Sequence, residues 1–141
     1  MATLAVQDSE GQPKDMSNLK GRIVNARIDS ISEQTSKFYR VDEDDPNSPM
    51  KPEMLFTFLA TDPLDGDESF VGTKFFGNTG VVLSNHSNCK LYNWCCAALG
   101  VGDITPGYEL DLDDLVGEPC KIQLTVSKNG NPRVQAVLRS D

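Results

Sequence analysis

The sequence is poor in the residues that most catalytic and membrane chemistries require. No apolar run approaches the ~18 residues of a membrane-spanning helix. The opening stretch, Met1-Ala2-Thr3-Leu4-Ala5-Val6-Gln7-Asp8, has neither a basic segment nor a long apolar one, so neither a secretory leader nor a membrane partner is expected. Histidine occurs once, at His86, which leaves little room for a Ser-His-Asp or Cys-His centre and would put any catalysis on carboxylates alone. The cysteines, Cys89, Cys95, Cys96 and Cys120, show no CxxC spacing and include an adjacent pair. They read as reduced, partly buried thiols, not as a disulfide framework or zinc knuckle. A phosphate-binding glycine loop and a nucleophile elbow are both missing. Neither Asp62-Pro63-Leu64-Asp65-Gly66-Asp67 nor Asp111-Leu112-Asp113-Asp114 follows the calcium-loop spacing with its closing glutamate. The expectation is a cytoplasmic, non-enzymatic protein without metal or cofactor.

What is present suits one domain. The 141 residues, 38% hydrophobic and 24% charged, suffice to bury a single core. Thirteen basic residues against 21 acidic ones give a net charge of -8, a balance that by itself argues against a nucleic-acid partner. The distribution argues the other way. Asp42 to Asp45, Asp62 to Glu68 and Asp103 to Glu118 hold most of the acids and no Lys or Arg. Ser69 to Val101 carries Lys74 and Lys90, and Pro119 to Ser140 carries Lys121, Lys128, Arg133 and Arg139, with no acid in either stretch. Acid collects in turn-rich segments and base in periodic ones, which permits a locally positive face on an acidic protein. Acidic loops that merely aid solubility would look the same on charge alone.

Residues 1–18 have no sustained period and read as a flexible N-terminal arm, with the folded domain over 19–141. From Gly21 to Ile31, Val24, Ala26 and Ile28 share one face of a strand, and Ile31 falls one residue out of phase. A β-bulge near Asp29 or Ser30 would restore the phase and bend the strand. Between Glu33 and Glu53 the sequence predicts a long polar connection, with Lys37-Phe38-Tyr39-Arg40, an acidic run and prolines at 46, 49 and 52. Met54 to Ala60 and Phe70 to Phe76 read as antiparallel strands joined by Asp/Pro/Gly turn chemistry. Leu91, Trp94, Cys95, Ala98 and Leu99 form the apolar stripe of a helix, with Ser87 or Asn88 to cap its start and Gly100 where a left-handed residue ends it. Leu112 to Gly117 suits one helical turn or a short ordered loop. Cys120 to Val126 alternates as a strand, and Asn129-Gly130 favours a tight turn into a last strand ending at Leu138.

Five strands, a helix between the third and fourth, and a bent first strand make a mainly β protein arranged as a five-stranded OB-fold barrel. An SH3-like barrel and an unrelated α+β meander have similar element counts. OB-folds commonly bind oligonucleotides or oligosaccharides across strands 2 and 3 and the flanking loops. Those are the places where aromatic and basic residues coincide here: Lys37, Phe38, Tyr39 and Arg40 in the first connection, Phe56, Phe58, Phe70, Lys74, Phe75 and Phe76 on the central hairpin, and Lys128 and Arg133 beside the last one. Rings give sequence-tolerant base stacking and cations displace counterions from phosphates. The candidate nucleic-acid site is therefore Lys37, Phe38, Tyr39, Arg40, Phe56, Phe58, Lys74, Phe76, Lys128 and Arg133. Burial is nevertheless the usual fate of phenylalanine, and strand alternation sends about half of any such set inward. Trp94 lies in the helix stripe and reads as core; Tyr92 lies off it and suits a surface or partner contact. His86 reads as solvated or capping.

Ser87-Asn88-Cys89-Lys90-Leu91-Tyr92-Asn93-Trp94, then Ala98-Leu99-Gly100, then Leu110-Asp111-Leu112-Asp113-Asp114-Leu115-Val116-Gly117-Glu118-Pro119-Cys120-Lys121-Ile122 resembles the C-terminal half of small phage-encoded OB-fold single-stranded DNA-binding proteins. The resemblance covers about residues 84–138 and consists of packing and turn positions; the N-terminal half matches only in strand order. It implies binding of single-stranded DNA in replication or recombination, alongside replication or recombination proteins. The chain ends Leu138-Arg139-Ser140-Asp141, without the acidic tail many such proteins use to recruit partners. Two other readings stay open: an acidic protein-interaction module or DNA mimic on the same barrel, and a carboxylate-metal hydrolase. Unpaired strand edges on a partly open barrel also leave homo-oligomerisation open.

Overall fold

The computed structural model describes residues 17–128 and 130–140, with Phe38 described by its backbone only. The expected arm falls largely on residues 1–16, outside the described residues, as does Asn129 of the predicted Asn-Gly turn. A short 3-10 turn at Ser17–Leu19 buries Leu19 and leads into strand β1, Ile23–Arg40. Val24, Ala26 and Ile28 face inward on β1, and the pairing with strand β2, Met50–Ala60, then slips between Ile28 and Ser30, leaving Asp29 unopposed. Beyond the slip it is Ile31 that packs against the core, opposite Phe56. This is the bulge the sequence phase called for.

The segment expected as a long connection is mostly strand. β1 runs on to Arg40 and β2 starts at Met50, so only residues 41–49 form the loop. Pro52 is tolerated because it lies beyond Met54, the last β2 residue paired with strand β3, Lys74–Thr79. There β2 has a neighbour only on the β1 side, opposite Thr35, and a missing N–H on the other side costs no ladder bond. β3 also starts later than expected. Asp67 accepts a hydrogen bond from Ser69 N and caps a 3-10 turn at Glu68–Phe70, whose Phe70 ring packs 5.7 Å from Phe75.

The helix α1, Lys90–Leu99, follows, and Gly100 ends it at φ 71, as its sequence position suggested. Its start differs: the N-cap is Cys89, with no side-chain cap, while His86 Nδ1 accepts a bond from Asn88 N. Tyr92 is a correction too. Its ring is buried because the Ile104 N–H donates to its hydroxyl at 2.9 Å, folding the following loop back over the helix. After a turn at Leu112–Leu115 come strands β4, Pro119–Val126, and β5, Pro132–Leu138.

The strands form one antiparallel sheet in the order β3-β2-β1-β4-β5, with α1 between β3 and β4 in sequence. The sheet curls until its two edges meet. On the inside, a Cβ added at Gly77 of β3 would lie 3.0 Å from the Val134 Cβ of β5 and 2.5 Å from Trp94 Cη2. On the outside, Arg133 Nη2 donates to Asn78 Oδ1 at 2.9 Å across the same seam. The result is an OB-fold-like half-barrel. Its core holds Ile28, Phe56, Phe58, Phe75, Leu115, Ile122 and Leu124, with Trp94 edge-on to Phe56 and Phe58 at 5.1 and 5.8 Å.

Candidate nucleic-acid interface

Because strand side chains alternate, the residues between the core positions of β1, β2 and β3 build the outer face of the half-barrel. The register sets them in rows: Arg27, Leu59 and Lys74; then Ser30, Thr57 and Phe76; then Ser32, Leu55 and Asn78. Successive rows lie ~7 Å apart along the strands. Phe76 stands in the middle row with 44% of its surface exposed, so its ring presents a face to solvent. Arg27 and Lys74 flank it on one side. On the other, the face runs into the β1–β2 ribbon.

That ribbon is shaped by a second register slip. Thr35 pairs with Pro52 and Arg40 with Met50, so Ser36 to Tyr39 bow out opposite Lys51 alone. Ser36 is buried and its Oγ accepts from Tyr39 N, which turns Tyr39 outward to 61% exposure. Two adjoining grooves open here. One, of about 490 Å³, is lined by Tyr39, Arg40, Lys51, Glu53, Asn78 and Lys90, among others; the second, of about 580 Å³, by Lys37, Tyr39, Glu53, Asn78 and Arg133, among others. A chain of side-chain bonds ties their floor together across four strands. Gln34 Nε2 donates to Glu53 Oε1 at 2.8 Å, Asn78 Nδ2 to Glu53 Oε2 at 3.0 Å, and Arg133 to Asn78.

The grooves are positive although the protein is acidic. Their carboxylates are Glu43 and Glu53, and both accept hydrogen bonds from neighbours, Glu43 from Arg40 N and Glu53 from the two amides. Against them stand Lys37, Arg40, Lys51, Lys90 and Arg133. The only salt bridge found among the described residues is elsewhere, between Arg22 and Asp65 at 3.0 Å, where it raises the arginine and lowers the carboxyl. The acidic run at 42–45 is spent on the loop itself: Asp42 Oδ1 accepts from Asp44 N and Asp45 Oδ1 from Asn47 N.

Among the predicted site residues, Lys37, Tyr39, Arg40 and Arg133 come together at the grooves, and Lys74 and Phe76 lie on the adjoining outer face. Arg40 also has a structural task, since its Nη1 donates to Ser48 O at 2.8 Å and closes the loop. The expectation for Phe56 and Phe58 is corrected: both rings are wholly buried against Trp94, and neither offers a face to a base. Alternation puts Leu55, Thr57 and Leu59 on the outer side instead. Lys128 is exposed at the β4–β5 turn and lines neither groove. The side chain of Phe38 lies outside the described residues. Sequence reading missed Arg27, Lys51, Asn78 and Lys90. Lys51 was hidden by its flanking prolines, and Lys90 reaches the site only because α1 begins against the β3–β5 seam.

No protein-family model matches this chain, and no curated protein matches it. No helix among the described residues is long and apolar enough to cross a membrane. The half-barrel is of a kind used for binding nucleic acids or proteins, and the face just described is what this chain adds to it.

Proposed function

We propose that the protein is a non-enzymatic, sequence-tolerant single-stranded DNA-binding protein that acts in DNA replication or recombination, of the kind phages encode. The observation that carries this reading is the exposed Phe76 ring, central on the outer sheet face, with Arg27 and Lys74 in the row on one side and the grooves holding Lys37, Lys51 and Arg133 beyond Asn78 on the other. A base stacks on Phe76, a second on Tyr39, and the backbone between and beyond them is neutralised by Lys74, Arg27, Lys37, Lys51 and Arg133. Unpaired bases present their π faces to such a platform, whereas a duplex hides them, so single strands bind in preference. The acidic 41–49 loop borders the groove at Glu43, so the negative charge beside the track confines a polyanion to the side that carries Lys37, Lys51 and Arg133.

Anisotropy of a labelled ~20-nucleotide single strand and its duplex across a salt series tests this, because phosphate contacts make affinity fall with salt by roughly 0.7 log units per log unit of salt for each phosphate neutralised. Single-strand binding that exceeds duplex binding and weakens along that slope is the expected result. Phe76→Ala should lower single-strand affinity about ten- to hundred-fold, the worth of one lost stack, while leaving the far-UV spectrum unchanged. Absence of single-strand binding at low salt would overturn the reading in favour of a protein-docking surface.

A further inference from the structure

Lys90 is placed against the ordinary rules for a positive charge. It is the first residue of α1, the helix end that favours anions, and its Nζ is held 4.7 Å over the Trp94 ring. Partial burial, and then the positive charge of Arg133, push its ammonium below the ordinary lysine value. Arg133 in turn is tethered by the neutral Asn78 amide and not by a carboxylate. The nearest acid in that network, Glu53, bonds to Gln34 and Asn78 and not to either cation. No carboxylate among the described residues lies within ion-pair distance of Lys90 or Arg133. Lys90 and Arg133 thus stand at two adjoining grooves that share Tyr39, Glu53 and Asn78, each with its side chain anchored and neither in an ion pair among the described residues.

An anion between them removes the repulsion and supplies the missing hydrogen-bond acceptors. We propose that Lys90 and Arg133 together seat one backbone phosphate of the bound strand at the seam where β3 meets β5. This rests on the reading of the face as a polynucleotide site, and it fixes the strand's path: from Phe76 across Asn78 toward the start of α1. Trp94 serves as the seat's floor without touching nucleic acid.

The chain has a single tryptophan, so the seat carries its own reporter. Titrating the full protein with inorganic pyrophosphate should give a saturable change in Trp94 emission as the ammonium above the ring is drawn to the anion. Arg133→Gln, which leaves Lys90 over the ring, should abolish the change, and Arg133→Lys, which keeps the charge, should retain it. On single-stranded DNA, Lys90→Gln and Arg133→Gln should each flatten the salt dependence by about 0.7 and lower affinity about ten-fold, while Arg22→Gln, paired with Asp65 away from the grooves, should change neither. No pyrophosphate response in the wild type, or one that survives both Gln variants, overturns the seat. Wild-type DNA binding with unaltered slopes in those variants also overturns the seat but leaves the single-strand reading intact. A pyrophosphate response that needs both residues, without DNA binding, upholds the seat and overturns that reading.

Discussion

Between pH 9 and pH 12 the folded domain is expected to lose about 1.4 kcal/mol of stability per pH unit for each of two thiols, Cys95 and Cys120. Both side chains are buried in the core, and burial pushes both from an ordinary 9.0 up to about 12, because a thiolate there would lack solvation. For Cys95 the neighbouring Cys96 and Cys89 add to the shift. The sign follows from which state keeps its proton. Below pH 9 both states carry the thiol proton and stability is untouched; above it the unfolded chain ionises and the native core does not. Summed over three units this reaches on the order of 4 kcal/mol per thiol, a large share of the 5–15 kcal/mol that holds a domain of this size together. Urea midpoints at pH 7.5, 9 and 10.5 measure it, with Cys120→Ala as the control. The variant has its own packing loss at every pH, but its pH slope should be shallower by one thiol's share. Equal slopes in the two proteins would show that the burial of Cys120 does not govern alkaline unfolding.

Trp94→Ala is the second large effect, with an expected cost of about 3–5 kcal/mol. Trp94 joins helix to barrel: its ring stands edge-on to Phe56 and Phe58 and fills the space that Gly77 leaves by having no Cβ. That complementarity makes a double prediction. Gly77→Ala places a methyl where the Trp94 ring now sits, and overpacking of this kind costs about 1–3 kcal/mol. In a Trp94→Leu background the same Gly77→Ala change should cost less, because the ring at 2.5 Å is gone and only the Val134 Cβ contact at 3.0 Å remains. A double-mutant cycle by chemical denaturation reads the coupling directly. Additive costs would mean that the seam relaxes elsewhere and that the Gly77–Trp94 approach is not what closes the barrel. Loss of Trp94 also removes the surface that positions Lys90, so phosphate binding should fall with stability in this variant.

Much of the architecture is legible in the sequence because it is written in local chemistry. The slipped phase between Ile28 and Ile31 requires a bulge whatever the strand pairs with, and a helix stripe ending in Gly100 terminates there because glycine alone enters the left-handed region without strain. The same holds for Trp94, whose stripe position made it core. Single-residue signals misled where a neighbour sets the outcome. Three prolines made 33–53 look like a loop, yet Pro52 costs β2 nothing on a side where no strand pairs with it. Asp67 and Gly72 delayed β3 past Phe70, by a cap and a left-handed turn that composition does not locate.

The candidate site divides along the same line. Alternation within Met54 to Ala60 says that one set of residues is buried, but not which, since both faces of that strand are apolar. Pairing resolves it: the bulge in β1 sets the register of Ile31 against Phe56, and so sends Phe56 and Phe58 inward and leaves the outer face to Leu55, Thr57, Leu59 and, across the ladder, Phe76. A mainly β chain with segregated charge and aromatic-basic clusters followed from residue order and side-chain chemistry, which act over a few positions. Assembly of Lys90 with Arg133, 43 residues apart in the chain, and the choice of Phe76 over its buried neighbours required the closed seam, because a half-barrel brings its first and last edges together only when the whole sheet has curled.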